Sequence, residues 1–292
     1  MTRSAPSRRR VLGVLCGAAI LAPVASFARP YDEVIDSGVL RVALYRDNAP
    51  FSDDPDGKPV GIDVDLATRI AEKLGVKPEI RIVEASENVD GDFRLNLWRG
   101  DLAGSKLADL MLNVPADKML AVRNEQVAFT APYAEQRLAV AYRRDSVEGG
   151  FQDVQDVQGR SVAVEGTSPV DALIGFANGG IYRDSLKHFR TFGEAAASFL
   201  TGEAEFLGGT RAAIEAAVAK AAPAARAGEI DVKDLAGTGL VKPRWEICGA
   251  VRIDSRDLGY RIGDAVAALT AEGALKSIYE AHGATFSAPA GY

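Results

Sequence analysis

The sequence predicts an α/β protein built as two lobes, and three observations carry that prediction. Short strand-like runs alternate with helix-like ones, the alternation restarts near residue 157, and no short repeat of the solenoid type interrupts it. The composition agrees. A chain of 292 residues, 47% hydrophobic and 25% charged, has the make-up of an ordinary soluble protein, not of a disordered, collagenous or polytopic membrane one.

In the first lobe Val39–Tyr45 reads as a short apolar strand. Residues 61–75 then read as a helix. Ile62, Leu66, Ile70 and Leu74 recur at i+4, Asp63 and Asp65 stand in the first turn, Lys73 stands in the last, and Gly75 is the stop. A strand over 78–83, a short helix over 93–99 and a buried strand over 107–112 complete the unit. In the second, a strand over 161–164 leads to Gly166-Thr167-Ser168-Pro169. Here Ser168 suits an N-cap, Pro169 the first helical position and Asp171 the third. Strands over 186–191 and 204–207 alternate with helices over 193–201 and 211–222. The chain closes with a strand over 247–252 and helices over 255–271 and 274–281. Leu258, Ile262, Val266 and Leu269 mark one face of the first of these.

The N-terminus is an address. Four arginines precede an apolar run that ends in Ser26-Phe27-Ala28, the pattern of a secretory signal peptide over 1–28 cleaved after Ala28. Pro23 and the short run argue against a membrane anchor. Ser7-Arg8-Arg9-Arg10-Val11-Leu12 fits either a twin-arginine signal or the basic head of the ordinary export route. The full chain has 34 Lys plus Arg against 40 Asp plus Glu, a net charge of −6; losing four arginines and no acid makes it −10. Such a balance disfavours nucleic acid as a partner. The cleaved chain keeps Cys248 alone, within an apolar run that suggests a buried thiol, and no internal disulfide. With two Cys and two His in all, neither a metal centre nor a cofactor site is expected, and neither His has a catalytic setting. The turn Ser52-Asp53-Asp54-Pro55-Asp56-Gly57 loosely follows a calcium loop, but Pro59 and the helix beginning at Asp63 do not suit one.

The run Gly61-Ile62-Asp63-Val64-Asp65-Leu66 through Leu74-Gly75 resembles the signature of family-3 periplasmic solute-binding proteins. Other landmarks follow in order: Gly38 to Val42, Ala49-Pro50-Phe51, Asp109, Val127 to Pro132-Tyr133, Gln158 to Val164 with Gly166-Thr167, and the closing stretch 269–283. This resemblance implies the type II periplasmic binding protein fold, two lobes with a central cleft and two crossover strands. It puts lobe 1 at 29–137 plus 250–292 and lobe 2 at 138–249, in a monomer whose cleft closes by hinge motion.

The same resemblance implies a cleft lined by Phe51, Trp98, Asn113, Arg123, Tyr133, Thr167, Ser168, Thr210 and Trp245. Arg123 stands ten residues before Tyr133, where amino-acid receptors hold the ligand carboxylate; it also reads as a solvated surface arginine. Thr167 and Ser168 read as an anion seat at a helix N-terminus or simply as caps. Phe51, Trp98, Tyr133 and Trp245 read as cleft anchors or as core. After the strand over 204–207 such receptors place an Asp for the ligand ammonium, and this chain has Gly208-Gly209-Thr210. The run Asp109-Leu110-Met111-Leu112-Asn113-Val114-Pro115 is similar to a narrower branch, the MxaJ and XoxJ accessory proteins of pyrroloquinoline-quinone methanol dehydrogenases, the latter serving a lanthanide-dependent enzyme. That branch implies a periplasmic dehydrogenase as partner and no catalysis of its own. The alternative is an ABC-importer receptor for a small polar or organic-acid solute.

Overall fold

Alternation of side chains along the strands decides this architecture. The computed structural model describes residues 29–221 and 229–290; the expected signal peptide lies outside them. In strand β1 (Val39–Tyr45) Leu40, Val42 and Leu44 join one apolar cluster while Ala43 and Tyr45 join another. In β3 (Leu110–Pro115) Leu110 and Leu112 divide from Met111 in the same way. Both faces of the sheet are therefore covered, as a parallel α/β sheet requires. Strand β2 (Lys77–Val83) pairs in parallel with β1, and β1 with β3.

Helix α1 (Tyr31–Ser37) and helix α2 (Ile62–Leu74) precede and follow β1. Ile62, Leu66 and Ile70 bury the inner face of α2, and Gly75 ends it at φ 74°. Its N-terminus has no side-chain cap. Instead the Ile62 and Asp63 N–H groups donate to the Pro50 and Phe51 carbonyls at 2.9 and 2.8 Å, which ties the β1–α2 loop to the helix. The helix expected at 93–99 is α3 (Val89–Phe93) followed by a π-type turn, Arg94–Trp98. Helix α4 (Lys118–Arg123) and strand β4 (Val127–Phe129) come next. Asp109 is fully buried; it accepts from the Arg29 guanidinium at 2.6 Å and from the Arg41 N–H at 2.8 Å.

Strand β5 (Ala134–Arg143) leaves the first lobe. Its pairing changes at Arg137/Leu138 from β10 (Arg244–Arg252) to β8 (Phe206–Thr210) and β9 (Ile230–Asp234). Strand β10 returns, meeting β3 from Ile247 onward. In the second lobe β6 (Val162–Glu165) pairs in parallel with β7 (Leu186–Phe189) and with β8. Helices α5 (Pro169–Phe176), α6 (Phe192–Thr201) and α7 (Arg211–Ala221) pack on this sheet. Helices α8 (Arg256–Ala271) and α9 (Ala274–Ala281) fold back onto α2 in the first lobe.

The strand expected over 204–207 lies later and takes in Gly208, Gly209 and Thr210. Phe192 presses on Gly209, where an added Cβ would stand 2.5 Å from its ring, so a larger residue fits there only if that ring moves. We predict that Gly209→Ala lowers stability by about 1–3 kcal/mol through this overlap, read by denaturant unfolding. Cys248 is buried, and burial pushes its thiol pKa above the ordinary value. Among the described residues no helix is long and apolar enough to cross a membrane.

Candidate functional site

A cavity of ≈ 200 Å³ opens between the lobes, where the loop after β1 faces the β6–α5 turn. Lobe 1 supplies Asp47, Asn48, Phe51 and Asn113; lobe 2 supplies Glu165, Ser168, Phe192 and Thr210. The crossover strands supply Gln136 and Trp245, which stand opposite each other in the β5–β10 register. Trp245 is half-buried and packs against the apolar clusters of both lobes.

Asn113 holds a left-handed backbone, φ 61°, on strand β3. Its amide Nδ2 donates to Asp63 Oδ2 at 2.8 Å, and its N–H donates to the Tyr133 hydroxyl at 3.1 Å. That hydroxyl donates in turn to Asp63 Oδ1 at 2.8 Å. Asp63 has no exposed surface. Burial raises its pKa to about 7 against the opposing pull of the Asn113 and Tyr133 hydrogen bonds. This triad fixes one cavity wall from behind.

On the facing wall, burial and then the charge of Asp47 raise the Glu165 pKa above its ordinary value. The α5 N-terminus beside it is occupied by the chain itself. Ser168 Oγ accepts from the Asp171 N–H at 3.3 Å, and Asp171 Oδ2 accepts from the Thr167 N–H at 2.9 Å. Thr210 Oγ1 likewise accepts from the Ala213 N–H at 3.4 Å.

Of the residues expected in the cleft, the structure brings Phe51, Asn113, Ser168, Thr210 and Trp245 together around the cavity. Tyr133 lies behind the wall, buried under Asn113. Thr167 points outward from the α5 turn, and Trp98 packs on the lobe-1 cluster that contains Phe93 and Met111. Arg123 is on the surface at the end of α4, where its Nε pairs with Asp90 at 2.9 Å. The six-residue helix α4, capped by Asp117, carries it to that face, and it does not line the cavity. We predict that Arg123→Ala changes stability by no more than about 0.5 kcal/mol and leaves solute binding intact, read by thermal shift with and without ligand.

The lining residues that escape sequence reasoning include the polar and aromatic side chains Asp47, Gln136, Glu165 and Phe192. Asp47 and Glu165 lay within two residues of quoted landmarks, Ala49-Pro50-Phe51 and Gly166-Thr167, and that adjacency was the available signal. The two histidines are engaged elsewhere, His188 with Asp171 and His282 with Asp65. Asp54 of the acidic turn pairs with Arg46. Among the described residues no group of three or more His, Cys, Asp or Glu is placed to hold a metal ion.

Residues 40–92 match the family of bacterial extracellular solute-binding proteins, family 3. Among curated proteins the chain is 34% identical over 131 residues to cyclohexadienyl dehydratase of Pseudomonas aeruginosa, covering 44% of each protein. It is 28% identical over 128 residues to the probable amino-acid-binding protein YxeM of Bacillus subtilis, covering 44% of this chain and 43% of that one. The chain thus aligns with less than half the length of the curated relatives it matches. In three dimensions it is similar to an ancestral cationic amino acid solute binding protein, with TM-score 0.66, 20% identity, and 87% of this chain and 99% of that one covered. The fold is that of the two-lobed solute-binding proteins, and residues 40–92 carry the family-3 pattern.

Proposed function

We propose that this is an exported family-3 binding protein that closes its two lobes on a small solute and presents it to a membrane importer. One observation carries the reading: the cavity is assembled from both lobes and both crossover strands, so a solute seated there would bridge the hinge. The volume of ≈ 200 Å³ is many times the roughly 10–15 Å³ that one water needs on the same measure, which suits a small metabolite. Binding without turnover is part of the proposal, because both histidines are engaged away from the cavity. A panel of small solutes read by thermal shift and by small-angle scattering tests it. A solute that raises the melting temperature and compacts the protein supports it, and a panel that moves neither counts against it. Turnover of prephenate in a dehydratase assay would refute the absence of catalysis.

The accessory reading, a partner of a quinoprotein methanol dehydrogenase, draws support from one observation. Arg123, the position expected to grip a ligand carboxylate, is paired with Asp90 on the surface. Mixing the protein with the dehydrogenase in its cofactor-free and loaded forms tests this reading, and no association with either removes it.

A further inference from the structure

We propose that the cavity is built for a small organic ammonium ion lacking an α-carboxylate, held between Asp47 of one lobe and Glu165 of the other. This rests on the receptor reading above. Among the described residues the lining contains these two carboxylates and no Lys, Arg or His. A carboxylate-bearing solute would be buried beside two like charges without a cationic partner, which low dielectric makes costly. The α5 N-terminus does not compensate, since Asp171 and Ser168 already fill it.

An independent observation points to a ligand. Gln136 is 4% exposed, lies on the cavity wall, and its side-chain amide makes no hydrogen bond with any described residue. Buried amides are nearly always paired, so this one is available to a solute N–H through its carbonyl oxygen. Phe51, Phe192 and Trp245 supply the apolar part of the wall, and aromatic faces favour ammonium groups. Closure follows from the same charges. Without a cation, bringing the lobes together sets Asp47 against Glu165; an ammonium between them turns that repulsion into two attractions and so favours the closed state.

The test compares agmatine with L-arginine, which differ by the α-carboxylate alone, and adds putrescine and succinate, titrated calorimetrically into the signal-free protein. Agmatine or putrescine is expected to bind at least about tenfold tighter than L-arginine, with succinate silent. Asp47→Asn and Glu165→Gln are each expected to weaken the amine by roughly ten- to a hundredfold, and both variants should melt no lower than the unliganded native protein, since each removes the repulsion between the two carboxylates; this verifies folding. L-arginine or succinate binding tighter than the amines would overturn the ammonium assignment while leaving the receptor reading standing. Amine affinity unchanged in two folded variants would overturn it as well. If no solute in either this set or the broader panel binds, the receptor reading fails together with it.

Discussion

Replacing Asp63 by asparagine is expected to abolish a loss of stability that the native protein undergoes as pH rises from about 4 to about 7. The direction follows from the raised pKa. The folded protein holds a proton on Asp63 that the unfolded chain releases near its ordinary value. The stabilising contribution is therefore complete below about pH 4 and is lost as pH climbs through about 7. A shift of this size corresponds to roughly 4 kcal/mol. In Asp63→Asn the Tyr133 hydroxyl still donates to the amide oxygen, and the Asn113 amide turns over to accept from the new NH₂ group. Urea unfolding of the two proteins at pH 5 and pH 8 checks this. Equal pH slopes in native and variant would show that Asp63 titrates normally. Asp63→Ala shares the flat pH profile of Asp63→Asn and in addition leaves the Tyr133 hydroxyl and the Asn113 amide without their acceptor, so it is expected to be about 3 kcal/mol less stable than Asp63→Asn at either pH.

Gly61→Ala is expected to be the more damaging single-methyl change, costing about 4 kcal/mol. Gly61 has φ 131°, and a Cβ there would lie 2.3 Å from the Phe51 carbonyl oxygen and 2.8 Å from that of Pro50. Those are backbone atoms, and they are also the acceptors for the first N–H groups of α2, so neither side can yield without breaking the helix start. The loop carries Asp47 and Phe51, and the variant is accordingly expected to lose solute affinity along with stability. Denaturant unfolding and a ligand titration read the two effects. Affinity kept at the native value in a destabilised Gly61→Ala would separate the loop from the site.

The elements with a strong period were legible beforehand. The α2 pattern of Ile62, Leu66 and Ile70, the Gly75 stop and the Ser168-Pro169 start all stand in the structure where the residues put them. Strand β5 carries no apolar signal over its first half, because Glu135, Gln136 and Arg137 interrupt any apolar run before Leu138; along this lobe-1 half buried positions alternate with half-buried ones, and the buried one among these three is a polar residue, Gln136. Strand β8 lies later than its apolar run suggests because glycine counts against a strand, and the packing of Phe192 shows why a small residue is needed at 209. The site was half legible for a related reason. Phe51, Asn113 and Trp245 stand out by type or by motif, whereas Asp47 and Glu165 become a pair only when two lobes far apart in sequence meet. Arg123 had the right spacing from Tyr133 and the wrong face of α4.

Trp245, set in the wall of the cavity and braced by both lobes, makes the molecule its own optical reporter. The chain has two tryptophans, and the other, Trp98, belongs to the lobe-1 cluster away from the cavity. A solute that seats against the Trp245 indole or a rotation of the lobes about β10 alters the surroundings of that ring and leaves Trp98 as an internal reference. Trp98→Phe would leave one emitter at the hinge, so that occupancy and closure are followed by intrinsic emission, without a dye or an engineered label.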